Sequence, residues 1–589
     1  MPPLGAGPAV RPDKDMAVIS DHKARTGFAG IGLSALLGAA TASHLRAVVV
    51  LAVVALAAFL PGFLQIPPVD RDEARFAQAT KQMIETGDYV DIRFQDEPRY
   101  KKPVGIYWLQ AAVVEIAEAA GVPRARSRIW LYRVPSLIGA IGAVTLTYWA
   151  ALAFVSRRAA FLAGVMMATS ILLGVEARLA KTDAMLLLTA VAAMGGMARA
   201  YLAEQGERPT GDGPIVNAAI FWCAIGAGIL LKGPVICFIV GLAALALIGI
   251  DRSAKWISRL RPTVGLLSAL ALVMPWFLAI FVRSGGSFFV DAIGEDMFAK
   301  VASAQESHGL PPGFYFAAFW LTFFPGAMLA GLAAPAVWRS RGEPGCKFLL
   351  AWVVPFWFVL ELVPTKLPHY VLPLYPAIAI LIAGVLDGHA LSRDRWLVRG
   401  TMWWFILSAT VALALVVLQI AIGQRLGLFG WPFAGAAVTF SLFAWVLYRV
   451  DGAEASLLRA AAASIMLSFA VYGAAFPAMP SLFPAVALAS YVRGANCPGP
   501  GVVTAGFHEP SLVFLAGTNV NPGTGSSAAD FLVAGPCRFA LVDSRQERSF
   551  VQRADAIGLR YAPGPRIEGY NINGGTAVTI AIYRSERAP

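Results

Sequence analysis

Asp70-Arg71-Asp72-Glu73-Ala74-Arg75, followed by Tyr100-Lys101-Lys102-Pro103, gathers charge of both signs into the first polar stretch after a long apolar run. The contrast with the rest of the chain sets the fold class. Of 589 residues, 57% are hydrophobic and 14% charged, and the mean hydropathy is +0.64. A soluble domain of this length carries far more charge. Apolar runs of roughly 17 to 25 residues, enough for a helix to cross about 30 Å of hydrocarbon, recur from Leu45 to Phe476. The chain reads as a polytopic α-helical membrane protein.

Working outward from the charged stretch, helices are expected near 45–64, 129–155, 158–175, 183–203, 215–231, 233–250, 262–282, 313–338, 348–363, 369–387, 397–422, 430–449 and 457–478, about thirteen crossings in all. Segment 104–120 is apolar but carries Glu115 and Glu118, which suits a helix lying in the interface. Residues 1–44 are rich in Gly, Pro and charge, without a cleavable apolar core, and read as a disordered cytoplasmic lead-in. Lys and Arg accumulate on alternate loops: Arg157-Arg158; Arg252, Lys255, Arg259 and Arg261; Arg339, Arg341 and Lys347; Arg393, Arg395 and Arg399. The positive-inside rule makes that side cytoplasmic. The outer face then receives loops 65–103, 176–182, 283–312 and 364–368, the junction at Lys232, a turn near 425, and everything after 479.

Outer loop 65–103 breaks the positive-inside trend, with Arg71, Arg75, Lys81, Arg93, Arg99, Lys101 and Lys102. Either these cations pair with Asp70, Asp72, Glu73, Glu85, Asp88, Asp91, Asp96 and Glu97 as a solvated surface, or they await an anionic ligand. The net charge of +12 alone does not choose among nucleic acid, anionic lipid and topology.

After Phe483 the hydropathy falls. Short β-rich runs follow, at 502–505, 512–515, 531–534, 539–542 and 578–581, separated by Gly and Pro turns. This describes a small α/β or β-rich extramembrane domain over 479–589, beyond a transmembrane domain over 45–478. Of five cysteines, Cys223, Cys237 and Cys346 fall in or beside apolar spans, as small buried hydrophobes do. Cys497 and Cys537 share the polar region, where they either form a disulfide or stay as two thiols. No CxxC or HExxH spacing is present, so a structural zinc site is not expected.

Several outer-face residues are suited to chemistry. Asp72 opens a helix expected to stop at Gly87-Asp88, at the positive end of the helix dipole. As an anion it either accepts a proton from an attacking hydroxyl or holds a cation, unless Asp70 or Asp72 merely caps the helix. Glu176-Ala177-Arg178-Leu179-Ala180-Lys181-Thr182-Asp183 joins two apolar helices, and Asp183 is either an N-cap or a site carboxylate. Lys232 has apolar neighbours on both sides; burying it uncompensated at a bilayer centre costs roughly 2.5–3.5 kcal/mol, so it either snorkels or meets a phosphate or carboxylate. Lys366 and His369, in Thr365-Lys366-Leu367-Pro368-His369-Tyr370, form a further phosphate-binding candidate. Asp291, Glu295, Asp296, Lys300, Gln305, Glu306 and His308 make up the polar content of loop 283–312.

The order Asp72-Glu73-Ala74-Arg75-Phe76, Gly87-Asp88-Tyr89, Lys102-Pro103-Val104-Gly105-Ile106-Tyr107-Trp108, Arg178-Leu179 with Asp183, Lys232-Gly233-Pro234 and Lys366-Leu367-Pro368-His369-Tyr370-Val371-Leu372-Pro373 resembles the aminoarabinose lipid A transferase family of GT-C glycosyltransferases, kin of the protein O-mannosyltransferases. The resemblance spans nearly the whole chain. It implies a GT-C transmembrane domain of about thirteen helices with a small C-terminal extramembrane domain, in a bacterial inner membrane. It implies a sugar donor carried on a polyprenyl (undecaprenyl) phosphate, and transfer with inversion, on the periplasmic face, to lipid A or another envelope glycolipid or protein. No cofactor and no nucleic acid enter such a reaction. Carried over by motif, Asp72 and Asp183 stand for the catalytic aspartates, and Lys102, Lys232 and Arg75 for donor-phosphate ligands. Glu73, Tyr100, Lys366, His369 and Tyr370 stand for substrate contacts.

The chain departs from the family at one place. Where the family has an acidic residue before the Lys-Pro lysine, part of a metal site with a later histidine, this chain has Lys101, and the counterpart of the histidine is Asp296. A Lys beside an Asp cannot rebuild such a site. No metal is therefore expected there, and a Lys101–Asp296 ion pair is expected instead. The competing class, a flippase of lipid-linked sugars, calls for polar pathways open to both sides, whereas the charged candidates here gather on one face. A purely structural envelope protein leaves Lys232 and Asp183 without a reason.

Overall fold

The computed structural model describes residues 28–69, 71–207, 213–292, 294, 309–422, 430–495, 497 and 499–586. Asp70, Asp296, the lead-in before residue 28, most of the acidic part of loop 283–312 and the turn near 425 lie outside them.

The apolar runs become helices, but unequal ones. Among the described residues, eight are long and apolar enough to cross a membrane: Ile129–Ala151, Asp183–Glu204, Pro214–Lys232, Pro262–Ser284, Pro344–Leu362, Pro368–Asp387, Arg395–Ala421 and Tyr448–Ala478. Two further runs fold as bent pairs, Gly32–Ala40 with His44–Phe59 at 115° and Phe314–Thr322 with Ala327–Arg339 at 119°. Counting each pair as one crossing gives ten. Val235–Asp251 and Gly430–Val446 are shorter apolar helices. The run 158–175 divides into Arg157–Ala168 and Ile171–Glu176. Side chains hold that break open: Ser464 Oγ donates to the Thr169 carbonyl at 2.6 Å, and Ser170 Oγ to the Thr322 carbonyl at 3.1 Å. The chain is a multi-pass membrane protein whose central helix is Asp183–Glu204, 83% buried where the outer helices are far less so.

Within the charged stretch 65–103 the helix Asp72–Thr86 forms where its apolar spacing predicts it. It ends at Gly87, in the left-handed conformation (φ 71°) that a Cβ disfavours, with the Gly87 N–H donating to the Met83 carbonyl. The chain then makes a two-stranded hairpin, β1 (Arg93–Phe94) and β2 (Glu97–Pro98), and enters the helix Gly105–Ala119. Gly105 lies so close to the helix ending at Lys232 that a Cβ there would come within 2.7 Å of the Leu230 carbonyl oxygen. The Lys102-Pro103 segment is thereby held beside the Lys232 end.

The C-terminal region is a five-stranded mixed sheet of β3 (Gly501–Ala505), β4 (Val520–Gly523), β5 (Arg538–Asp543), β6 (Tyr561–Asn571) and β7 (Thr576–Ser585), in the order β4-β3-β5-β7-β6. β3 runs parallel to β4 and β5, while β7 is antiparallel to β5 and β6. Two of the β-rich runs, 512–515 and 531–534, are not strands. They belong to the helices Pro510–Ala516 and Gly525–Val533. Short apolar runs do not separate a buried strand from a buried helix turn; the start signals do. Pro510 occupies the first helical turn, and Thr524 and Ser527 form a reciprocal capping box. Cys497 and Cys537 form a disulfide with Cα atoms 5.7 Å apart.

This domain docks on the helix that opens with Asp72. Phe514 is fully buried, in one apolar cluster with Ala77, Ile84, Ala111, Val114, Tyr132 and Ala180. Lys81 Nζ donates to the Phe514 carbonyl at 3.0 Å. Gln78 donates to Thr518 Oγ1 at 2.9 Å, and Gln95 to the Thr518 and Val520 carbonyls at 2.9 and 2.6 Å. Burial lowers the Lys81 pKa, with Glu85 acting against it. Phe514→Ala should cost about 3–5 kcal/mol of local stability, the usual range for emptying a buried aromatic site. Thermal unfolding together with faster hydrogen exchange over 72–86 checks it; unchanged exchange there would mean the domain does not brace the helix.

Candidate active site

The site is assembled where the first turn of the helix Asp72–Thr86 meets the connection 177–182. Arg71 occupies the N-cap position without a side-chain hydrogen bond, and Asp72 is the first residue of the helix. Its carboxylate is exposed, and Arg75, one turn on, is half-buried. Glu73 points the other way, into the protein. It takes a bidentate ion pair from Arg133, Nε to Oε1 at 2.7 Å and Nη2 to Oε2 at 2.9 Å, with both side chains 1% exposed. It also accepts from the Val69 N–H at 2.8 Å and the Ala180 N–H at 3.0 Å. Arg133 spends its remaining protons on the carbonyls of Phe63, Ile66 and Pro67. Glu73, expected among substrate contacts, is thus an internal anchor whose oxygens are all engaged by protein groups.

Beyond that anchor lies a buried cluster. Asp183, the first residue of the central helix, accepts a hydrogen bond from Lys232 Nζ through Oδ1 and has Lys181 Nζ 3.7 Å from Oδ2. Lys181 donates to Glu176 at 3.3 Å. The His369 ring bridges both acids, Nδ1 lying 3.7 Å from Glu176 Oε1 and Nε2 lying 3.7 Å from Asp183 Oδ1. The Lys232 ammonium also sits 5.3 Å from the centre of the Tyr370 ring, a cation–π contact. Burial opposes the charge on Lys181, but Glu176, Asp183 and Asp72 outweigh it and hold its pKa above that of an ordinary lysine. Asp72 therefore shares the electrostatic field of the cluster.

Glu176, Asp183 and His369 offer ligand atoms within 4.8 Å of one another, a spacing compatible with a divalent cation. The donor set does not suit one, because the ammonium groups of Lys181 and Lys232 already neutralise the two carboxylates, and a dication would have to displace them.

The remaining sequence candidates separate into those near this cluster and those used elsewhere. Lys102 is half-buried, with Nζ donating to the Lys101 carbonyl at 2.9 Å; Lys101 itself is exposed. Its expected partner Asp296 is outside the described residues. Tyr100 is buried, donating to Asp91 at 2.8 Å and packing edge-on against Phe288. Burial and that carboxylate push its hydroxyl up to about 12. Lys366 donates to the carbonyls of Leu360, Glu361 and Val363 at 3.2, 2.7 and 2.6 Å. Its ammonium closes the C-terminus of the helix Pro344–Leu362 instead of facing a phosphate, because an uncapped helix end in an apolar setting leaves carbonyls unpaired.

Sequence reading missed Arg133 altogether. The available signal was a lone arginine inside an apolar span, which demands a buried partner. Glu73→Ala should destabilise the protein by about 3–5 kcal/mol, because Arg133 is left charged and unpaired inside. A lowered detergent-melting temperature checks this; a melt unchanged from wild type would remove Glu73 from the anchor.

Residues 101–278 match the dolichyl-phosphate-mannose-protein mannosyltransferase family. An undecaprenyl phosphate-alpha-4-amino-4-deoxy-L-arabinose arabinosyl transferase of Yersinia pestis (strain Pestoides F) is 26% identical over 390 residues, 65% of this chain and 66% of the relative. One of the same name from Edwardsiella ictaluri is 26% identical over 343 residues, 56% of each. The chain thus spans just under two thirds of the Yersinia relative's length. The crystal structure of ArnT from Cupriavidus metallidurans bound to undecaprenyl phosphate superposes with a TM-score of 0.69 at 19% identity, covering 91% of this chain and 97% of that one. Its apo state superposes equally well, at 0.69 and 18% identity. Over nearly its full length the chain has the same fold as ArnT from Cupriavidus metallidurans.

Proposed function

We propose that this protein is an integral-membrane glycosyltransferase that moves a sugar from a polyprenyl-phosphate donor to lipid A or another envelope acceptor, with inversion at the anomeric carbon. The observation that carries this reading is the convergence of Lys232, Lys181 and Asp183 behind Asp72, in a chain whose relatives are named for undecaprenyl-phosphate-linked aminoarabinose.

In a single displacement the acceptor oxygen attacks the anomeric carbon as its bond to the phosphate oxygen breaks, which inverts the configuration. The departing polyprenyl phosphate gains negative charge, and Lys102, Lys232 and Arg75 are the cations assigned to stabilise it. Their value is greatest where water is excluded. An acceptor hydroxyl must lose its proton, and the exposed carboxylate of Asp72 is the base for it. An acceptor phosphate is already an anion, and Asp72 then orients and balances charge. The basic loops on the opposite side support a periplasmic site and C-terminal domain at a bacterial inner membrane. On this reading, the charge of the leaving phosphate is met by ammonium and guanidinium groups.

The test uses purified protein, undecaprenyl-phosphate sugars labelled in the sugar, and lipid A. Wild type should transfer label to the lipid, whereas Asp72→Asn should lose roughly 100-fold or more in rate, as expected for removing a general base. Label that never leaves any donor, alongside donor movement across proteoliposome bilayers that survives Asp72→Asn, would replace this reading with a flippase. Chelation with EDTA should leave the wild-type rate unchanged; loss of activity restored by a divalent cation would show that Glu176, Asp183 and His369 hold a metal after all.

A further inference from the structure

Lys232 meets two demands that conflict. As a donor-phosphate ligand it must turn toward the phosphate, yet its ammonium is hydrogen-bonded to Asp183, a carboxylate only 5% exposed. Withdrawing the partner of a buried carboxylate leaves an uncompensated charge, which is strongly destabilising. Lys232 can therefore be shared with a phosphate only if Asp183 has a second cation at hand.

Lys181 meets that need. Its Nζ is 3.7 Å from Asp183 Oδ2, the oxygen that Lys232 does not use, and 3.3 Å from Glu176. Its backbone is fixed as well, since the Lys181 carbonyl accepts from Ser136 Oγ at 3.1 Å and the neighbouring Ala180 N–H donates to Glu73. A lysine tethered in this way, with a side chain 10% exposed, faces the cluster and not solvent. We propose that Lys181 is a positioning residue for donor binding, the standing counter-ion of Asp183 that allows Lys232 to turn to the donor phosphate. The inference rests on the glycosyltransferase reading and deepens it, dividing the lysines of the site into one that meets the donor and one that replaces it at Asp183. Glu176 holds Lys181 in place, and His369, between the two acids, faces both carboxylates. The Glu73–Arg133 pair is closed on itself and takes no part in the exchange.

The experiment measures binding of undecaprenyl phosphate, without sugar, to purified full-length protein in detergent, so that no chemistry intervenes. Lys181→Met alone removes the ammonium beside Glu176, so the main variant is Lys181→Met with Glu176→Gln, accepted only if its melting temperature and gel-filtration profile match wild type. Its affinity should fall about tenfold, because Asp183 then keeps Lys232 to itself. Lys181→Arg should stay within about threefold of wild type, and adding Asp183→Asn to the double variant should recover the affinity by releasing Lys232. A folded double variant that binds like wild type, or no recovery on adding Asp183→Asn, overturns the assignment of Lys181. Wild type that does not bind undecaprenyl phosphate at all overturns the glycosyltransferase reading, and this inference with it.

Discussion

One buried ion pair sets the geometry on which the site depends. Glu73 is the second residue of the helix that Asp72 opens, and Arg133 lies in the first turns of the crossing Ile129–Ala151. Through one carboxylate, Glu73 fixes the entry to that helix at Val69, the crossing at Arg133 and the connection 177–182 at Ala180. A buried ion pair is weak evidence of net stability, because desolvating both charges offsets much of their attraction. Its value lies in uniqueness: a carboxylate with four fixed donors tolerates no other arrangement of the segments that supply them. Asp72 on one side of this knot and Lys181 on the other are held in register as a consequence.

The C-terminal domain is a second constraint on the same helix. Phe514 enters the apolar cluster that contains Ala77, Tyr132 and Ala180, the last of these beside Lys181. The helix carrying Asp72 is therefore packed between the transmembrane bundle and the sheet domain, with Lys81, Gln78 and Gln95 hydrogen-bonded to the latter. Hydrogen bonds of this sort contribute modestly each, but a helix braced on two faces loses the freedom to tilt. On the proposed reading, a carboxylate that meets a reacting oxygen benefits from that rigidity more than from any single contact.

The fold class was legible because hydropathy reports crossings directly. What hydropathy does not report is whether a run stays straight: at 158–175 the break depends on Ser464 and Ser170 hydrogen bonds that join residues hundreds of positions apart. In the sheet domain the runs at 512–515 and 531–534 misled because β-rich composition was read without Pro510 and the Thr524–Ser527 box that start helices there. At the site, motif order singled out Asp72, Asp183 and Lys232, but a charge in sequence does not say which way it points. Glu73 and Lys366 looked like ligands for substrate and are fully engaged by the protein, one by an arginine from another helix, the other by three carbonyls. Arg133 escaped notice because its partner is 60 residues away.

The charge balance of the cluster explains how one arrangement serves both the empty and the occupied site. Two carboxylates, Glu176 and Asp183, face two ammonium groups, Lys181 and Lys232, so the buried cluster is close to neutral as it stands. A neutral cluster folds without an ion to complete it. On the glycosyltransferase reading, an incoming phosphate adds negative charge, and both ammonium groups of the cluster are already paired with its carboxylates. The additional cations, on the same reading, come from the stretch 65–103, where Lys102 and Arg75 are half-buried and Lys101 is exposed. This accounts for the excess of positive charge in a loop that the positive-inside rule would otherwise keep poor in it. On that reading, the stretch 65–103 supplies charge to the ligand, and the buried cluster supplies the lysine that is shared with it.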